Sequence, residues 1–488
     1  MDLEVTLYIL GGVYGPRAMT QLGASCDLLK VKRGQTTNFF MIDAGMDMGL
    51  DASMGRMGFS NPPYDLNRLE EILDGHKIDQ LFLTHAHTDH VGYAIYEPVR
   101  ENLADSARII CTNPTAAFYS DNLMNELESY RSMRKRKLID RLPYTEREAF
   151  LFLRRLYDTF SRPEALEIVP DHIWVYPSPA GHMRGACGYT FRVKYRKQDV
   201  KIMFSGDRAC HSQLSTRGAP LPPKEWYPDI IASYDCTNGG DDLTQGGDEA
   251  TFWMQELARM MAVAKKCDAS REWFFASAFA MERFPTVAQT IADMGLSVYG
   301  FSPSAQRSWR IMNSKKGFWC NGDMPVDGTG VNFLENLEDA ANLEEPTALI
   351  ASSGMGHGPA AKCYYKFLPM ENAVVASTGF AADDTNNFRI ADAQDGEKIL
   401  LRFPNRGGEE EIPVVVRARR EKFRLTAHSL RETAAKSAEE LLRYSQFKEP
   451  MLGLKHGPTP ALDWFESRLG GFDTFRQDRP EDRCIQLV

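Results

Sequence analysis

The sequence lacks the paired cysteines of a structural zinc module. It contains no Cys-x-x-Cys, and its nine cysteines are scattered along the chain, at positions 26, 111, 187, 210, 236, 267, 320, 363 and 484. An odd number of dispersed cysteines argues against a four-cysteine zinc site and favours a reducing compartment. We therefore expect a cytoplasmic protein without a disulfide framework.

Long apolar runs and an excess of basic residues are also missing. No apolar run approaches the length of a membrane span, and the N-terminal residues lack the basic and apolar segments of a secretory signal. We expect no membrane partner. The formal net charge of −9 does not suit indiscriminate nucleic-acid binding, so a polyanionic substrate would need a local basic surface. The 488 residues are enough for two or three domains.

The sequence does contain a dense cluster of metal-binding side chains. His85, His87, Asp89 and His90 lie within six residues, directly after an apolar run at 78–83 that predicts a buried strand. The chain has ten histidines in all, so three within six positions are improbable by chance. Imidazole and carboxylate groups are ligands of zinc and similar metals. A loop leaving the strand can direct His85 and His87 to one ion, and Asp89 and His90 to a second.

Several later strands also end in a polar side chain. Each of these signals is weak alone, but together they repeat the arrangement of the first cluster. The side chains in question are His182, Asp207, Asp235, His428 and His456.

The residues between Asp235 and His428 alternate between apolar strands and helices. This pattern predicts a parallel α/β unit. One strand there, 348–353, leads into a glycine-rich turn whose backbone N–H groups suit a phosphate. The candidate substrate-binding residues are Ser353, Gly354, Met355, Gly356 and Gly358.

The pattern His-x-His-x-Asp-His resembles the metal-binding signature of the metallo-β-lactamase fold. The order of the later motifs resembles the β-CASP branch of nucleases on that fold, over residues 11–457. The resemblance implies an α/β protein, a metallo-β-lactamase αββα sandwich with an inserted α/β β-CASP cap. We expect the first part of the sandwich at 1–240, the cap at 241–410 and the closing part of the sandwich at 411–488.

The resemblance also implies roles for the later residues. Two Zn²⁺ ions are expected, although other divalent transition metals would suit the same ligands. His182 would complete the first metal's ligands, His456 the second's beside Asp89 and His90, and Asp207 would bridge the two. His428 would protonate the leaving oxygen, with Asp235 orienting its ring and raising its pKa. The expected catalytic residues are Asp89, His428 and Asp235.

The implied activity is hydrolysis of RNA phosphodiester bonds by a hydroxide that two zinc ions activate. RNA is the expected partner because DNA-specific members of the branch tend to lack a histidine at the last motif, where this chain has His456. An Artemis-like DNA nuclease and a nuclease-dead RNA-binding scaffold subunit are the alternatives. A homodimer or a protein-complex partner also stays open. One departure from the family is Asn238, where members often carry an aromatic residue.

Two further features allow two interpretations each, and a third is a candidate for substrate contact. Asp43 is either an outer partner of a ligand histidine or a turn aspartate before a glycine. The basic run at 131–137 is a phosphate track or, more commonly for such runs, a solvated helical face. A second basic group could contribute to the nucleic-acid path, namely Arg417, Arg419, Arg420 and Lys422.

Overall fold

A computed structural model gives the fold. It describes residues 3–13, 15–47, 62–137, 139–157, 160–240, 248–314, 319, 323, 326, 328–336, 339, 343, 345–379, 381, 385–405 and 408–488.

The first sheet carries the strand that precedes the histidine cluster. Its strands lie in the order β21-β1-β2-β3-β4-β5. The N-terminal strands pair antiparallel, and β3, β4 and β5 pair parallel. Alternating burial along β1 shows that one face points into the core. The strands are β1 (Leu3–Ile9), β2 (Asp27–Arg33), β3 (Thr36–Ile42), β4 (Ile78–Phe82), β5 (Leu103–Ile110) and β21 (Cys484–Gln486).

The second sheet carries most of the later motifs. Its order is β20-β19-β10-β9-β8-β7-β6, with β9, β10, β19 and β20 parallel to one another. The strands are β6 (Leu166–Val169), β7 (Ile173–Pro179), β8 (Cys187–Tyr195), β9 (Gln198–Phe204), β10 (Ile230–Asp235), β19 (Met451–Lys455) and β20 (Asp473–Arg476).

The two sheets pack face to face through an aromatic core. The Phe82 ring lies 4.9 Å from that of Phe191, and Phe40 lies 5.6 Å from Phe191, measured between ring centroids. Burial of such side chains drives the packing. Helices cover both outer faces and complete the αββα sandwich. They are α1 (Leu69–Leu73), α2 (Thr88–Val91), α3 (Glu97–Arg100), α4 (Asn113–Lys135) and α5 (Glu146–Leu153) on the first sheet, and α11 (Arg431–Leu442) and α12 (Thr459–Arg468) on the second.

The inserted cap is built on a parallel sheet in the order β13-β12-β14-β11-β15-β18. Helices alternate with its strands, as the sequence predicts. Its strands are β11 (Trp273–Ser277), β12 (Val298–Phe301), β13 (Val331–Phe333), β14 (Ala348–Ala351), β15 (Ala373–Ser377) and β18 (Arg419–Lys422), with a separate hairpin of β16 (Lys398–Asn405) and β17 (Gly408–Val415). Its helices are α6 (Glu249–Ser270), α7 (Arg283–Asp293), α8 (Pro303–Met312), α9 (Pro359–Phe367) and α10 (Asn386–Asp392).

The cap strands run beyond the predicted boundary at residue 410. The hairpin continues to Val415, and β18 pairs parallel with β15 of the cap sheet. We therefore propose that the cap ends after Lys422. The predicted start of the cap, at residue 241, falls in 241–247, which lie outside the described residues.

Among the described residues, no helix combines the length and the apolar character needed to cross a bilayer.

Candidate metal centre and acid pair

Strands of both sheets deliver the candidate ligands at one edge of the sandwich. The histidine cluster follows β4, His182 follows β7, and Asp207 follows β9. Asp235 ends β10, and His456 follows β19. Because parallel strands end at the same edge of a sheet, residues far apart in sequence converge there.

Three histidines and one aspartate form the first group. Nδ1 of His87 lies 3.1 Å from Nε2 of His85 and 2.9 Å from Nε2 of His182. Oδ2 of Asp207 is 3.5 Å from Nε2 of His85 and 3.6 Å from Nε2 of His182. All four donor atoms lie within 4.8 Å of one another.

The second group consists of Asp89, His90 and His456, and it also meets Asp207. Nε2 of His90 lies 3.1 Å from Oδ1 of Asp207, and Nε2 of His456 lies 3.3 Å from Oδ2 of the same carboxylate. Oδ2 of Asp89 is 3.9 Å from Nε2 of His456. Asp207 therefore lies between the two groups, with an oxygen facing each.

These residues fit a pair of divalent metal ions. A tetrahedral site with metal–nitrogen bonds of about 2.0–2.1 Å needs donor atoms about 3.3 Å apart, and the observed separations lie around that value. Within the described part of the chain, buried Nε2 of His90 and Oδ1 of Asp207 face each other at 3.1 Å without hydrogen-bond geometry, and neither atom has another hydrogen-bond partner. Buried polar atoms are rarely left so, because desolvation without a partner is costly. Bound cations would satisfy both.

Outer hydrogen bonds fix which ring nitrogen faces the centre. Oδ2 of Asp43 accepts from Nδ1 of His90 at 2.7 Å, and the Ala427 carbonyl accepts from Nδ1 of His182 at 2.8 Å. Both rings then present Nε2 to the centre. The Asp43 carboxylate also accepts the backbone N–H and the hydroxyl of Thr84, each at 2.8 Å. Such partners orient ligand rings and set their tautomer.

The first group is electrically suited to metal binding. Burial lowers the pKa of His87 to about 4. Burial and neighbouring histidines lower the pKa values of His85 and His182 well below the usual range. All three rings are therefore neutral near pH 7, the form that binds a metal.

In the second group, the charge of Asp207 shifts the pKa values of the histidines. Burial opposes a charge on His90 and His456, but the Asp207 carboxylate raises both pKa values, together with Asp43 in the case of His90. Burial likewise opposes the charge on Asp207, yet His456 and His90 lower its pKa well below the usual range. The carboxylate is therefore ionised between the two groups.

His428 and Asp235 form a hydrogen-bonded pair beside the centre. Nδ1 of His428 lies 2.8 Å from Oδ2 of Asp235, and Nε2 lies 4.0 Å from Oδ2 of Asp207. Burial opposes protonation of the ring, but Asp235 raises the pKa of His428 to about 9. The Asp235 carboxylate also accepts the backbone N–H groups of Arg208 and Thr237. The structure thus brings the two predicted acid-pair residues together, while their catalytic roles stay predictions.

The candidate substrate-binding turn lies on the cap between β14 and α9. Side chains of α10 hold it, since Asn387 donates to the Gly354 carbonyl at 2.5 Å and Asn386 to that of Gly356 at 2.9 Å. Gly356 has φ +79°, and an added Cβ there would lie 2.5 Å from Asn387. Ser353 and Met355 complete the turn, and Gly358 precedes α9. Substrate binding by these residues stays a prediction.

The basic candidates lie elsewhere on the surface. Arg419 and Arg420 are on edge strand β18, where Arg420 lies 2.5 Å from Asp395. Arg131 on α4 lies 2.6 Å from Glu128 and 2.5 Å from Glu146, as expected of a solvated helical face. Paired side chains such as these are less available to phosphates than free ones.

Sequence reasoning missed two residues next to the acid pair, His211 and Glu249. Both are buried and hydrogen-bonded to each other. For His211, its place four residues after Asp207 is the available signal in the sequence. Glu249 has no comparable signal, because it meets His211 only in the fold.

Comparison with known proteins supports the family resemblance that the motifs predict. No family model matches the chain. The chain is 23% identical to "Cleavage and polyadenylation specificity factor 73" of Drosophila melanogaster over 211 residues, 43% of this chain and 26% of that protein. It is 24% identical to "Endoribonuclease YSH1" of Mycosarcoma maydis over 246 residues, 47% of this chain and 22% of that protein. The chain therefore spans about a quarter of the length of these curated relatives.

Solved structures support the fold. A protein of unknown function from Enterococcus faecalis V583 matches 99% of this chain and 100% of its own, with a TM-score of 0.53 and 12% identity. At that identity the likeness shows the fold alone. The dizinc quorum-quenching lactonase AidC covers 42% of this chain and 70% of its own with 16% identity, and its TM-score of 0.25 supports no argument.

The sandwich and the converging histidines define a protein of the metallo-β-lactamase fold. The resemblance to the β-CASP branch that the motifs predict is thus confirmed at low sequence identity, since the chain is similar to these two curated relatives.

Proposed function

We propose that the protein is a metal-dependent ribonuclease that hydrolyses phosphodiester bonds, with two Zn²⁺ ions as its cofactors. The observation that carries this proposal is the hydrogen bond between His428 and Asp235. This pair lies directly beside Asp207, the carboxylate that separates the two groups of ligand atoms. One curated relative bears the name endoribonuclease, which supports the choice of RNA.

The chain would supply ligands and an acid. His85, His87, His182 and Asp207 would hold one ion, and the second group with Asp207 would hold the other. When bound, two such ions lower the pKa of water and stabilise charge on a phosphodiester.

His428 would supply the proton for the leaving group. With Nδ1 held by Asp235, its Nε2 is directed towards the centre. Because Asp235 raises the pKa of His428, the ring is protonated near pH 7. As water adds to phosphorus and the P–O bond breaks, Nε2–H would donate its proton to the departing oxygen. Asp235 keeps the ring in this orientation throughout.

The phosphodiester chain would continue along the cap. Backbone N–H groups of the glycine turn at 353–358 are its proposed contacts, since N–H groups at turns and helix N-termini bind phosphate oxygens. A charge of −9 makes such local contacts necessary.

The test uses end-labelled RNA and DNA of one sequence, with and without chelator. We expect RNA cleavage that the chelator abolishes and that added Zn²⁺ restores. Preferential cleavage of DNA would favour the alternative nuclease. Absence of cleavage of either, by protein shown to contain two metal ions, would contradict the proposal.

Two variants separate the metal ligands from the acid. His456→Ala should lower both metal content and rate, because its Nε2 faces Asp207. His428→Ala should retain both metals and lose about 10²–10⁴-fold in rate, the usual range for general acid catalysis. The exposed His172 provides the control, since His172→Ala should change neither quantity.

A further inference from the structure

The segment that carries His428 is held by hydrogen bonds from distant parts of the chain. We call residues 426–430 the acid loop. At its start, Nε2 of His211 lies 3.1 Å from the Thr426 carbonyl. At its end, Oε2 of Glu249 accepts the Leu430 N–H at 2.8 Å. His428 lies between these two anchors.

His211 and Glu249 also bind each other. Oε1 of Glu249 accepts from Nδ1 of His211 and, at 3.1 Å, from the His211 backbone N–H. His211 is 3% exposed and Glu249 is 4% exposed, so neither can exchange its partner for water. Both ring nitrogens face acceptors, Oε1 of Glu249 and the Thr426 carbonyl, so the ring is fixed at both ends.

Asn238 fixes the middle of the acid loop. Its Nδ2 lies 3.0 Å from the Thr426 hydroxyl and 3.1 Å from the His428 carbonyl. Asn238 follows Asp235 by three residues, so the same strand end positions the His428 backbone and its ring partner.

Glu249 connects the acid loop to the cap. It is the first residue of α6, the first described helix of the cap, whose N-terminus Asp248 caps. A shift of that helix would move the carboxylate that holds Leu430. The loop also reaches the metal centre, because the Ala427 carbonyl accepts from Nδ1 of His182.

We propose that His211 and Glu249 are positioning residues, a clamp that holds His428 in reach of the leaving oxygen and couples it to the base of the cap. This inference rests on the proposed nuclease function. Neither residue touches the reacting atoms, so each acts through His428. Misplacing a catalytic group by about 1 Å can cost about 10²-fold in rate. We expect a loss of that order for His211→Ala and a smaller loss for Glu249→Gln, which keeps one acceptor.

The test is a double-mutant comparison. His211→Ala and Glu249→Gln are made alone and together with His428→Ala, and single-turnover RNA cleavage and zinc content are measured. If the clamp acts through His428, each substitution slows the wild type but has no further effect without His428. Zinc content should not change. Equal losses in both backgrounds, or wild-type rates for the single variants, would overturn the inference.

A second readout does not need activity. Hydrogen exchange of the metal-free protein should be faster at the amides of 426–430 in both clamp variants, and unchanged exchange there would refute the clamp. Glu126→Gln is the control, since Glu126 is a half-buried carboxylate that accepts from Tyr130 and Tyr144. It should leave both exchange in the acid loop and cleavage unchanged. If wild-type protein cleaves no nucleic acid, the proposed function fails, and exchange alone still decides the clamp.

Discussion

Replacing Asp43 by asparagine should disable His90 as a metal ligand while preserving its position. In the wild type, Asp43 accepts from Nδ1 of His90 at 2.7 Å, so Nε2 is free to bind a metal. Asparagine can keep its oxygen on the Thr84 N–H, which leaves its NH₂ group facing His90. Nδ1 must then accept, and the proton moves to Nε2, the atom that faces Asp207 at 3.1 Å.

The expected loss is 10–100-fold in metal affinity, the usual range for removing an outer partner of a ligand. It corresponds to about 1.4–2.8 kcal/mol. Zinc affinity is measured by competition with a chromophoric chelator. Asp79→Asn is the control, because Asp79 accepts from the Phe39 N–H at 2.8 Å in the same sheet. Wild-type affinity in folded Asp43→Asn protein would refute the tautomer reasoning.

Two further predictions concern stability. Gly45→Ala should lower the melting temperature and the metal content, because an added Cβ would lie 1.7 Å from the Asp89 carbonyl oxygen. Gly240→Ala is the control, since nothing lies within 4 Å of a Cβ there, and it should change neither quantity. A thermal melt and metal analysis of both variants check this. In metal-free protein, Asp235 raises the pKa of His428 to about 9 despite burial, and His428 lowers the pKa of Asp235 despite burial. The pair should therefore stabilise the fold fully between about pH 4 and 6.5, less as the pH rises through 9, and less again as the pH falls through the lowered pKa of Asp235. Denaturant unfolding of wild type and His428→Gln checks this, and a stability difference independent of pH would contradict it.

The candidate ligand residues, which the fold brings together, could be picked out because each follows its own apolar strand. His182, Asp207 and His456 each stand at a strand end, a local pattern that needs no knowledge of the fold. Asp43 was ambiguous, since a turn aspartate and an outer partner of His90 look alike in sequence. The fold decides its contacts by placing it in a left-handed conformation, φ 57°, against Thr84.

Other features depend on pairing between distant segments. Glu249 meets His211 across 38 positions, and no periodicity indicates such a contact. The cap end that we propose after Lys422 differs from the predicted one because β18 reads Arg-Arg-Glu-Lys, a polar sequence without strand character. As an edge strand it faces solvent and tolerates such residues, so its pairing with β15 could not be read from its composition.

The cap enters the chain after Asp235 and leaves it before His428, so it is the long loop that their hydrogen bond closes across 193 positions. The entropy lost on closing a flexible loop grows only slowly with length, by about 0.6 kcal/mol for each doubling. Extra residues within the cap, such as the β16–β17 hairpin, would therefore cost the His428–Asp235 pair little. The length of this region can therefore change while His428 keeps its place beside Asp235.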